Sequence, residues 1–188
     1  MTATAPKVIN GSAKRESING TAGNDILIAD LGGSIAKQVQ AIAKLVKAQI
    51  QAVLGNMTLK STPIPRAKTS KAVSKDDVLR GGAGNDTIVS TYGNDIIDAG
   101  AGNDRIVGGT GNDQIRAGRG NDVIMGGAGR DEIFGEAGND VISGGAGNDF
   151  IRAFDKYKDF VDGGAGKDSA RLNKGKNVAV AVEKKLYK

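Results

Sequence analysis

Between residues 77 and 168 the chain carries one strictly placed aliphatic side chain in every nine residues. Ile88, Ile97, Ile106, Ile115, Ile124, Ile133, Ile142 and Ile151 stand in an unbroken frame, and Leu79 extends it upstream. Two positions before each Ile lies an Asp: Asp86, Asp95, Asp104, Asp113, Asp122, Asp131, Asp140 and Asp149. Two positions before each Asp lies a Gly, from Gly84 to Gly147, and Asn usually separates the two. Six residues rich in glycine suit a restricted turn with exposed carbonyls. The three that follow alternate out, in, out, which is a minimal strand with one buried aliphatic. One Ile per nine residues cannot make a core alone. Units stacked into two facing sheets can, so the pattern predicts an all-β solenoid.

The frame weakens outward. Asp77 with Leu79 is one unit upstream; downstream, one extra residue precedes Asp159 with Val161, and Asp168 follows nine later. Near the start, Gly20 to Asp25 with Leu27 is a full unit, while Glu16 with Ile18 and Lys7 with Ile9 are eroded ones. Residues 34–54 break the frame with Ile35, Val39, Ile42, Val46, Ile50 and Val53 at helical spacing. Ser34 suits the cap and Gly55 the stop. Four regions follow: N-terminal turns at 1–33, an inserted basic helix and strap at 34–75, the main array at 76–172, and a basic strand or cap at 173–188.

Alternate units assign the outward side chains to two faces. One carries Thr87, Val89, Arg105, Val107, Val123, Met125, Val141 and Ser143; the other carries Ile96, Asp98, Gln114, Arg116, Glu132, Phe134, Phe150 and Arg152. The first is the more apolar. An amphipathic helix of 21 residues, about 32 Å long, reaches across several strands of it. A subunit interface or an anionic membrane surface are the other destinations for its apolar stripe.

Composition narrows the chemistry. With no His and no Cys among 188 residues, nucleophilic triads, thiolate metal sites and disulfides are excluded. Any metal must be held by carboxylate and carbonyl oxygen. The net charge of +5 hides a division: residues 76–168 hold 17 acidic and nine basic side chains, and residues 34–75 hold eight basic and no acidic ones. Residues 56–75 lack the interleaved aromatics of a nucleic-acid arm, so nucleic acid is not a favoured partner. No H-E-x-x-H or G-x-S-x-G motif occurs, and an enzyme is not expected.

Stacking puts the Asp carboxylates in rows with neighbours ~4.8 Å apart. Like charges at that spacing repel, so the rows call for divalent cations, and flexible oxygen-only sites suit calcium. The nonapeptides resemble the RTX, or haemolysin-type, repeat G-G-x-G-x-D-x-U-x across residues 77–168 and 20–28. The resemblance implies a parallel β-roll with two nonapeptides per turn and each ion between loop n and loop n+2. Loop n then offers its second and fourth carbonyls and its Asp; loop n+2 offers its first and third carbonyls and its Asp. The implied carboxylates are the eight Asp from Asp86 to Asp149, with Asp168 and Asp25. The implied carbonyls are those of Gly82, Gly100, Gly109, Gly118 and Gly127 at second positions, and Gly84, Gly93, Gly102, Gly111, Gly120 and Gly129 at fourth positions. Gly108, Gly126 and Gly144 supply first positions, and Ala101, Ala128 and Ala146 third positions. Six or seven calcium ions would follow. Lys156 and Lys158 stand where the unit ending at Asp159 has lost its glycines, and there an ammonium is expected to replace an ion.

The expected protein is a non-catalytic, calcium-binding structural protein, secreted or on a cell surface, that self-assembles through its open ends into a filament or layer. The alternative is a monomeric adhesin or accessory module, folding on export, with acidic polysaccharide or a cell surface as partner. Residues 1–6 offer no apolar signal region, so export without a cleaved N-terminal signal, by the type I route, is expected.

Overall fold

The computed structural model describes residues 7–10, 17–20, 25–28 and 76–187. They form an all-β parallel solenoid of two sheets with no helix among the described residues. One sheet orders β1 (Lys7–Asn10), β3 (Asp25–Ile28), β5 (Thr87–Val89), β7 (Arg105–Thr110), β9 (Val123–Ala128), β11 (Val141–Ala146), β13 (Phe160–Ala165) and β15 (Val178–Val180). The other orders β2 (Ser17–Asn19), β4 (Val78–Ala83), β6 (Ile96–Ala101), β8 (Gln114–Arg119), β10 (Glu132–Ala137), β12 (Phe150–Ala153), β14 (Ser169–Leu172) and β16 (Lys184–Tyr187). The chain crosses from one sheet to the other after every strand.

Most strands of the array are six residues long, twice the minimal strand read from the pattern. The extra residues are the first three of each glycine-rich loop, whose backbone keeps the ladder register, as in Gly100 beside Gly118. Glycine is required there because successive turns approach backbone to backbone. At Gly100, with φ of 110°, a Cβ would overlap the carbonyl of Gly82 in the preceding turn. Glu136 adopts φ of 65° at such a position without being glycine, and its carboxylate lies 3.9 Å from the Arg116 guanidinium.

The core is the predicted column. Leu79, Ile97, Ile115, Ile133 and Ile151 from one sheet meet Ile88, Ile106, Ile124, Ile142 and Val161 from the other, all essentially inaccessible to solvent. The register also bridges the long interruption. β3 pairs directly with β5, setting Leu27 beside Ile88. The expected helix at 34–54 and strap at 56–75 lie outside the described residues.

At the C-terminal end, β15 adds to β13 and β16 to β14. A strand at Lys184–Tyr187 was not anticipated, because its four residues carry no alternation. Lys185 takes the inward register beside Ala170, which is tolerable only where no further turn closes over it. Its ammonium reaches back to donate to the Ala179 carbonyl at 3.0 Å.

The two outer faces differ in burial. On the β5–β7–β9 face, Val89, Val107 and Met125 stand side by side and are only 5%, 8% and 8% exposed. On the opposite face, Asp98, Arg116 and Arg152 are exposed. Val107→Asp should therefore cost about 2–4 kcal/mol, as an unpaired charge placed under cover. Arg116→Ala, on the open face, should stay within about 0.5–1 kcal/mol. Equilibrium urea unfolding of both variants checks the contrast; equal effects would show that the apolar face is not covered.

Candidate metal centres

Each unit delivers its Asp at the end of the glycine-rich loop, just before the strand whose Ile enters the core. This placement buries the carboxylate: Asp86, Asp95, Asp104, Asp113, Asp122, Asp131, Asp140, Asp149 and Asp168 are all at most 2% exposed, as is Asp25. The buried groups are tied into two ladders. Along one, the Asp25 N–H donates to Asp86 Oδ1, Asp86 to Asp104, Asp104 to Asp122, and Asp122 to Asp140, at 2.6–2.9 Å. Along the other, Asp95 donates to Asp113, Asp113 to Asp131, Asp131 to Asp149, and Asp149 to Asp168, at 2.8–2.9 Å. The pairs implied by the two-unit spacing are thus neighbours.

These bonds use one carboxylate oxygen each. The second oxygen, Oδ2, is buried without a hydrogen-bond partner in Asp86, Asp104, Asp113, Asp122, Asp131, Asp140, Asp149 and Asp168. A lone carboxylate oxygen out of water is costly unless a cation or donor faces it. Carbonyl oxygen stands close by. A Cβ built on Gly126 would press on Asp131 Oδ2 at 2.5 Å and the Gly144 carbonyl at 2.6 Å. Gly108 and Gly144 repeat the arrangement with Asp113 and Asp149. Third-position carbonyls such as Ala101, Ala128 and Ala146 each accept one N–H, from Gly84, Gly111 and Gly129, which leaves a second lone pair on each. Among the described residues no three acidic side chains cluster as a metal site. An ion here must therefore draw on backbone carbonyls, as the hard cation calcium readily does.

Burial, with repulsion from neighbouring carboxylates added at most of them, raises the eight acids with a bare Oδ2 above their ordinary value of 3.8. Asp104 and Asp113 are raised to about 7 and Asp140 to about 8. Asp122 and Asp131 are raised to about 6, chiefly by burial. N–H donation from the preceding turn opposes the shift without cancelling it.

Comparison with protein families decides what the array is. The model of the RTX calcium-binding nonapeptide repeat matches residues 8–34, 73–106, 80–115, 89–124, 98–132 and 116–151. The chain belongs to the RTX calcium-binding repeat family. A search of curated proteins finds no match. The RTX array explains the orphaned oxygens, since its repeats bind calcium, and the oxygen-only donor set fits that ion.

Two RTX units meet their carboxylate with a side-chain donor, and one corrects an expectation. At Asp159 no ammonium replaces an ion: the Lys156 ammonium lies over the Tyr157 ring, 5.1 Å from its centre. The donor to Asp159 Oδ2 is instead the Asn177 side-chain amide, at 3.0 Å. Lys156 and Lys158 sit on the loop exposed to water, where a long cationic side chain stays hydrated. At Asp95, the Ser90 hydroxyl donates to Oδ2 at 2.5 Å. Asp77 and Asp159 also belong to the ladders, through Asp77 N–H to Asp95 Oδ1 and Asp140 N–H to Asp159 Oδ1. The ligand set read from the sequence omitted both. The frame alone would have found them, and Asn177, which stands 18 residues after Asp159, as well.

The raised acids set the pH response of the ion-free chain. Between 3.8 and about 8 the folded array holds more protons than the unfolded chain, so its stability falls as pH rises through that window. In excess chelator, the β signal in circular dichroism should grow as pH is lowered from about 8 to about 5. A β signal independent of pH across that range would contradict the buried, unpaired state of these carboxylates.

Proposed function

We propose that the chain is a non-catalytic structural protein of the exported type, which folds on calcium and then stacks end to end into a filament or layer. The observation that carries the calcium half is the set of eight buried Oδ2 atoms without donors. Asp86, Asp104, Asp113, Asp122, Asp131, Asp140, Asp149 and Asp168 would hold the ions with the loop carbonyls of neighbouring turns. The ions would supply charge neutralisation between turns and no chemistry of reaction. RTX repeats are typically non-catalytic and typical of extracellular proteins of the type I secretion route, which supports export in an ion-free, unfolded form.

Stacking draws on the open ends of both sheets. Val178 and Val180 are 45% and 43% exposed on the terminal strand β15, which leaves an apolar edge for strand addition. The first strands, β1 and β2, present the opposite edge. Contacts of this head-to-tail kind do not close on themselves and propagate. The low exposure of Val89, Val107 and Met125 marks the β5–β7–β9 face as a packed surface; the Val107→Asp variant reads that packing.

A monomeric reading is favoured by one feature. Lys184 and Lys185 on β16 blunt the neighbouring edge as charged edge residues do. Its ligand would be an acidic polysaccharide along exposed Arg80, Arg116, Arg152 and Arg171.

Calcium titration of the chelated protein at neutral pH, followed by circular dichroism, should convert a largely disordered spectrum into a β spectrum. A full β spectrum in excess chelator would refute calcium-dependent folding. Sedimentation velocity in calcium should show assemblies that dissociate on chelation. A monodisperse monomer at high concentration in calcium would exclude stacking and leave the monomeric module.

A further inference from the structure

Eight of the buried carboxylates present a bare oxygen, whereas Asp95 and Asp159 each meet a side-chain donor. The two exceptions are built from side chains that have no place in the repeat. In the loop 90–95, Ser90 stands at the first position, where Gly108, Gly126 and Gly144 stand in the following units of its row. Its hydroxyl donates to Asp95 Oδ2 at 2.5 Å. The second-position carbonyl of that loop is occupied too. Thr91 O accepts both the Thr110 N–H at 3.1 Å and the Thr110 hydroxyl at 3.1 Å, which uses both its lone pairs. β5 stops at Val89, before this loop, while the neighbouring β7 and β9 continue through theirs.

The other exception lies at the far end of the other row. The Asn177 amide nitrogen donates to Asp159 Oδ2 at 3.0 Å and also to the Ala153 carbonyl. One amide group thereby faces a carboxylate oxygen and a backbone carbonyl together, the pair of oxygen types that an ion between turns would join. Its own oxygen accepts the Asp159 N–H at 3.4 Å, the position taken by an Asp oxygen elsewhere in the ladder.

We propose that Ser90 and Asn177 are built-in substitutes for calcium, which close the Asp95 and Asp159 positions to the ion. Each row then carries a run of four ion-dependent positions beside one ion-independent one. The closed position precedes the run Asp113, Asp131, Asp149 and Asp168 in one row, and follows the run Asp86, Asp104, Asp122 and Asp140 in the other. This inference rests on the calcium reading above. It adds that the ion count of the chain is limited by two hydrogen-bond donors rather than by the number of Asp residues in frame.

The experiment is equilibrium dialysis of the full chain and its variants against calcium chloride. Ala already occupies the first loop position beside Asp104 and Asp122, as Ala99 and Ala117, so Ser90→Ala should be accommodated. Combined with Thr110→Ala, which frees the Thr91 carbonyl, it should bind one calcium more than the wild-type chain. Ser90→Thr, which keeps a hydroxyl, should leave the count unchanged. Asn177→Asp supplies an independent measurement at the other end and should also gain one ion. An unchanged count in both the Ser90→Ala/Thr110→Ala and the Asn177→Asp proteins would overturn the proposal. A wild-type chain that binds no calcium would instead overturn the reading beneath it, so the two failures are distinguishable.

Discussion

Everything in this solenoid is arranged around a carboxylate that is buried before it is neutralised. The Asp of each unit must enter the interior because its Oδ1 is the acceptor that ties one turn to the next. Hydrogen bonding satisfies half of the group and leaves the other half facing carbonyl oxygen. In water such a group would be ionised and hydrated. Here the same geometry that fastens the turns leaves Asp140, for example, so poorly served that its carboxyl is raised to about 8. A divalent cation resolves the conflict, because it is attracted to the carboxylate and to the carbonyl dipoles that surround it.

The glycines follow from the same constraint. For carbonyls of adjacent turns to line one narrow space, the backbones must approach closely, and a side chain at Gly102 would strike the Gly84 carbonyl. The high glycine content therefore reflects packing of backbone on backbone, not flexibility. The hydrophobic contribution is correspondingly thin: each half-turn buries one aliphatic side chain, which falls short of offsetting the ordering of nine residues. Stacking hydrogen bonds and ions must make up much of the difference, which is why metal and fold are coupled.

The array was legible because each position of the unit answers one physical demand, and eight consecutive units repeat the answer. Ile115 and Ile133 read as core from spacing alone, and they are core. The parallel stacking of Asp104 between Asp86 and Asp122 was legible through the family resemblance. The strand at Lys184–Tyr187 was not, because an end strand meets a turn on one side only and needs no alternation. Nor was the role of Asn177: the unit before Asp159 contains an extra residue, and the nearby Lys156 and Lys158 offer charge where a neutral amide serves. A neutral amide serves better in that position, since it offers a donor to Asp159 and an acceptor to the N–H of the same residue.

Irregularity in a repeat array is therefore informative in proportion to how well the rest of the array obeys its rule. A solenoid built from identical units has no internal reason to stop, and each end exposes the ladder that its interior satisfies. Several departures gather at the C-terminal margin of the regular stretch. Asn177 takes the place of an Asp in the last turn, and Glu183 supplies a longer carboxylate to the Asp168 N–H at 2.6 Å. Lys185 turns an inward position into a lid over the Ala179 carbonyl. Such side chains continue the hydrogen bonds of the ladder while relinquishing its need for a further turn. They make the C-terminal turn the place where the repeat's demand for a cation gives way to ordinary donors, and β15, with its exposed valines, the remaining edge on which another strand could build.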